Sequence, residues 1–169
     1  LREVQADMAE KRKAVEAEAA EQIAKEPVYQ AMRWLKKGEM TTAEGEEIKV
    51  TDGFKLDAAA VNAIFPESMP GRPDLAKLKG MMRKTDGMDP SIVAEMFGFR
   101  DAAHLITSIV EAFPQADQVQ GLTDQMMLER YGDAATPRGM ERAADEAVHN
   151  ENRARVLAAE MAAVNRAND

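Results

Sequence analysis

Residues 89–114 read DPSIVAEMFGFRDAAHLITSIVEAFP, and the fold class turns on this stretch. Asp89 followed by Pro90 is a helix start, because the carboxylate can accept from an early backbone N–H and the fixed φ of proline suits the first helical position. Ile92, Val93, Met96 and Phe97 give that helix an apolar side until Gly98 breaks it. Phe99 and Arg100 form a very short connection, Asp101 can cap the next helix, and Leu105, Ile106, Ile109 and Val110 supply its buried face before Pro114. The stretch therefore predicts a helix-turn-helix-like pair whose crossing is held by Phe97, Gly98 and Phe99, with Gly98 at positive φ.

The spacing of Val93, Ala94, Phe97, Gly98 and Phe99 matches the first half of a DNA-reading helix-turn-helix. The second helix departs from that pattern. Asp101 to Ala112 contains no Lys or Arg, and His104 stands where an apolar residue belongs, so the pair reads as packing geometry and not as base readout.

Working outward, Pro27 opens a short helix with Val28, Tyr29, Met32, Trp34 and Leu35 that Gly38 ends. Residues 38–56 are an acidic loop or, at most, one small β-hairpin, with turn signals at Gly45 and Thr51-Asp52-Gly53. Asp57 reads as a cap for a helix carrying Val61, Ile64 and Phe65, which Pro66 stops. A further helix carries Val119, Leu122, Met126, Met127 and Tyr131 up to Gly132, and residues 57–134 thus form a central helical core. Residues 1–37 hold the N-terminal helices, the first marked by Val4, Met8, Val15, Ala19 and Ile23. Thr136-Pro137 opens a long C-terminal helix over 136–167 with a heptad series Met140, Ala143, Ala147, Asn150, Ala154, Leu157, Met161, Val164. Two readings of the long terminal helices follow: they pack on each other and on the core, or they continue into neighbouring segments and pair between chains. In the second, Met140, Leu157, Met161 and Val164 meet a partner helix. Leu1 falls inside a charged, Ala-rich pattern and not at a start signal, so the chain is expected to be a single helical domain, 1–169, cut from a longer protein.

Composition agrees with an all-α class. Of 169 residues, 45% are apolar, but 30 are Ala and aromatics are 5%, so Leu, Val, Met and Ile must build the core. Ala, Glu and Met lose little rotamer freedom in a helix. The absence of cysteine excludes disulfide scaffolds, Cys-based zinc sites and cysteine nucleophiles. No apolar run approaches the ~20 residues of a membrane span, and no signal peptide is visible.

Chemistry is sparse. Two histidines and three serines supply few groups able to titrate near neutrality or attack a substrate. His104 and Ser108 share a helix face without an orienting acid, and Glu146-Ala-Val-His149 has metal-ligand spacing with only Asp101-Ala-Ala-His104 as a distant second copy. No glycine pattern of a phosphate loop occurs. The expectation is no catalytic residues, no metal site and no cofactor, with a hydrolase or metal-dependent enzyme as the disfavoured alternative. The one basic patch, Arg72, Lys77, Lys79, Arg83 and Lys84 against Asp74, carries +4 in a chain of net charge -8. It is read as a solvated helix face, with nonspecific nucleic-acid contact through phosphates as the alternative function.

One resemblance adds to this. The block Gly87-Met88-Asp89-Pro90, Val93-Ala94-Glu95-Met96-Phe97-Gly98-Phe99, Leu105 and Met127-Leu128-Glu129-Arg130-Tyr131-Gly132-Asp133, with His149-Asn150-Glu151 and Arg153-Ala154, resembles a helical segment of the large polyvalent proteins of phages and prophages. It covers roughly residues 80–160. The resemblance implies a non-catalytic structural or interaction module in a giant multidomain chain, in the virion or the host cytoplasm. The partners expected from the sequence as a whole are neighbouring domains of a longer chain, other protein helices or a second copy, and no membrane.

Overall fold

Local signals place most of the helices. The structure, a computed structural model, describes residues 2–168, and it is mostly α-helical. The order is α1 (Arg2–Ala24), α2 (Pro27–Lys37), β1 (Glu39–Thr41), β2 (Glu47–Lys49), β3 (Leu56–Asp57), α3 (Ala58–Ile64), a 3-10 turn (Leu75–Leu78), β4 (Met82–Arg83), α4 (Pro90–Met96), α5 (Ala102–Glu111), α6 (Gln115–Tyr131), a second 3-10 turn (Gly132–Ala135) and α7 (Pro137–Asn168). β1 and β2 form the small antiparallel hairpin, with Glu39 opposite Lys49. β3 and β4 form a two-residue parallel pair that has no counterpart in the sequence reading, because so short a strand carries no periodicity.

The chain divides into two compact units, each with its own apolar cluster. The larger, Ala20–Gln118, is built on α5. Leu105 and Ile106 are fully buried there with Leu35, Leu56, Leu78 and Val93. The smaller joins Leu1–Ala19 to Val119–Asp169, and in it Val15 and Ala19 of α1 meet Met126 and Met127 of α6. Thr123, the one buried polar side chain among the described residues, donates its hydroxyl to the Val119 carbonyl at 2.6 Å. Arg12 bridges Gln120 at 2.8 Å and Asp124 at 2.7 Å, and Arg130 pairs with Glu18, holding that carboxyl below its ordinary range.

Residues 89–114 form two helices joined by a short turn. Asp89 accepts from the Ser91 N–H at 2.8 Å and Asp101 from the His104 N–H at 2.8 Å, so both expected caps are made. Gly98 has φ 79°, and the Phe99 N–H bonds the Ala94 carbonyl at 2.8 Å. The buried side of α4 is rotated from the sequence reading: Val93 and Ala94 are inside, while Ile92 and Met96 are exposed. With only seven residues, α4 buries what faces α5, and the small Ala94 permits that approach. A Cβ at Gly98 would meet open space, so Gly98→Ala is expected to cost only the strain of a left-handed residue, about 1–2 kcal/mol, as read from urea unfolding.

Candidate functional site

α7 begins where Thr136 accepts from the Gly139 N–H at 3.0 Å, the N-cap expected from Thr136-Pro137. Ala144 is buried and Met140 half-buried. From Asp145 to Arg166 every residue is exposed, including Leu157 at 53%, Met161 at 62% and Val164 at 59%. The first two turns of α7 pack against the second 3-10 turn, and the rest of the helix is open. The remainder stays helical on local terms. It is rich in Ala, Glu and Arg, and Arg155 pairs with Glu151 at 2.8 Å one turn away, as Arg153 does with His149 at 3.2 Å. The heptad residues Ala147, Asn150, Ala154, Leu157, Met161 and Val164 thus lie on one open face, while Val148 and Val156 are exposed off it.

Phe97, Gly98 and Phe99 occupy the α4–α5 turn as structural residues. Phe97 is buried, and Phe99 lies edge-on to His104, with ring centroids 5.3 Å apart. His104 accepts the Arg100 N–H on Nδ1 at 3.1 Å, so its ring closes the turn. His149 and Glu146 are exposed on α7. Among the described residues, no group of three or more His, Asp or Glu side chains is placed to hold a metal ion.

The basic patch is not the helix face expected from sequence. Proline and two glycines confine it to the 3-10 turn, β4 and the loops around them. Arg72 donates to the Phe65 carbonyl at 2.8 Å and to Asn62 Oδ1 at 2.9 Å, and Arg83 pairs with Asp52. That guanidinium, helped by the Gly53 N–H, holds the Asp52 carboxyl below its ordinary range. Two of the five cations thus brace the fold, leaving Lys77, Lys79 and Lys84 exposed.

A cavity of about 930 Å³ in the larger unit was not visible in the sequence. It is lined by Tyr29 and Met32 of α2, Met40 of β1, Phe97, Pro114 and the first residues of α6, together with Lys25, Arg33 and Glu39. No local spacing unites these residues, so only the tertiary fold could reveal it. Some of its polar groups are paired. Arg33 binds Glu39 at 3.3 Å, Lys25 binds Glu21 at 3.4 Å, and the Tyr29 hydroxyl, its pKa pushed up by burial, donates to the Phe113 carbonyl at 2.7 Å. No helix among the described residues is long and apolar enough to cross a membrane. No protein-family model matches the chain, and no curated protein or solved structure matches it either.

Proposed function

We propose that the chain is a non-catalytic structural or interaction module of a large phage or prophage multidomain protein, and that α7 is the element through which it docks. The observation that carries the docking reading is the open apolar face of α7 at Leu157, Met161 and Val164. A helix exposed at every residue over six turns contributes little to the core, and an apolar stripe on it is suited to a partner helix. The helix-turn-helix-like pair at Pro90–Glu111 acts in this reading as a rigid packing element, and the phage setting rests on the residue blocks at 87–133 and 149–154 alone. Phosphate contact through the basic patch is the weaker reading, since Arg72 and Arg83 are engaged within the fold.

The test is the double variant Leu157→Glu, Met161→Glu in the full chain, followed by thermal unfolding and by light scattering after size exclusion. The expected result is weakened association, with the midpoint unchanged at dilutions where the parent chain is itself monomeric. A midpoint lowered even at those dilutions would show that the stripe is used inside the fold and would overturn the docking reading.

A further inference from the structure

Resting on the docking reading of α7, we infer that its partner is a second copy of this chain, paired antiparallel along residues 147–164. Two kinds of complementarity carry this, size and charge.

In the heptad of α7, Ala147, Ala154 and Met161 alternate with Asn150, Leu157 and Val164 as the two core positions. The small side chains fill the first half of the exposed stripe and the large ones the second. A parallel pair would stack like on like, setting Ala against Ala and Leu against Leu, which leaves one half thin and the other crowded. Reversing one helix about the midpoint between Ala154 and Leu157 sets Ala147 against Val164, Asn150 against Met161 and Ala154 against Leu157. Every small residue then faces a larger one, so the helix separation stays even along the seam.

The flanking charges select the same arrangement. Arg153 and Glu160 lie beside the seam one heptad apart, and the antiparallel register brings each opposite its counterpart on the other copy, giving two Arg153–Glu160 pairs. The parallel alternative would place Glu146 against Glu151 of the second copy and give Arg153 and Glu160 only Ala158 and Asn165. Centring the antiparallel pair on Arg153 instead would oppose Arg to Arg and Glu146 to Glu160. The antiparallel pair also sets the packed first turns of the two helices, around Ala144, at opposite ends of the seam.

The natural chain has no cysteine, so single substitutions give clean cross-links. Ala147→Cys and Val164→Cys chains are prepared separately, then mixed and oxidised. The antiparallel pair predicts a disulfide-linked species in the mixture and little in either chain alone, because two 147 positions would lie about 25 Å apart. Efficient linkage of Ala147→Cys to itself would mean a parallel pair and would overturn the inference. Light scattering over a hundredfold concentration range is expected to approach twice the 18.6 kDa chain mass. In the same assay Glu160→Arg should raise the dissociation constant about three- to tenfold, and Arg153→Glu combined with Glu160→Arg should restore it. A monomer throughout, or no restoration, would overturn the inference. If the melting midpoint of the Leu157→Glu, Met161→Glu chain were still unchanged, the open stripe would stand without this partner.

Discussion

Replacing Leu105 by Ala is expected to remove about 2–5 kcal/mol of unfolding free energy, measured by urea titration with an unchanged slope. Leu105 is completely buried on α5, the helix that packs on α2, α3, α4 and the first 3-10 turn. The loss combines the transfer energy of the deleted carbons with the energy of the cavity left among fixed neighbours. Rigid elements on several sides leave little freedom to collapse into the gap, which puts the effect in the upper part of that range. Ile92→Ala, one helix away but half-exposed on α4, is the control and should cost no more than about 0.5 kcal/mol. Equal losses at both positions would mean that α5 does not organise the larger unit.

Gly38→Val is expected to be comparably damaging, at about 3 kcal/mol or more in the same titration. Gly38 ends α2 with φ 68°, its N–H bonding the Trp34 carbonyl at 2.7 Å and its carbonyl accepting from the Val50 N–H at 2.8 Å. A Cβ there would lie 2.3 Å from the Val50 carbonyl oxygen and 2.9 Å from the Phe54 ring. The left-handed backbone penalises any side chain, and the overlap is with main chain that cannot swing aside, so the hairpin's attachment to α2 has to break. The contrast with Gly98 is diagnostic: both have positive φ, but only Gly38 is crowded, so equal effects at the two sites would contradict the packing described for Gly38.

Features governed by neighbouring residues were legible in the sequence. Asp89, Asp101 and Thr136 make their caps, Gly38 and Gly98 take the left-handed turn, and Leu105, Ile106, Ile109 and Val110 are buried as their spacing indicates. Asp57 shows the limit. It stands at the start of α3 without a side-chain cap bond, and its N–H is bound to the Met88 carbonyl at 2.9 Å in the short strand crossing. That crossing explains Gly87, where a Cβ would come within 2.5 Å of the Asp57 backbone, and nothing near Gly87 in sequence announces it. The cavity at Met32 and Met40 and the bracing of Arg83 by Asp52 are likewise set by residues distant along the chain. The stripe of α7 was visible as a pattern, but its exposure was not, since a heptad reads the same whether its partner lies within the chain or outside it.

Trp34 gives the larger unit its own optical reporter. It is the only tryptophan, buried edge-on against Phe54, and its indole N–H has no hydrogen-bond partner among the described residues. An indole in so apolar a setting emits at short wavelength and shifts to the red when water reaches it. Its fluorescence therefore follows the opening of Ala20–Gln118 alone, while far-ultraviolet dichroism, dominated by the helices, follows both units. Superimposable curves from the two signals would mean that the units melt as one, and separated curves would give each unit its own stability.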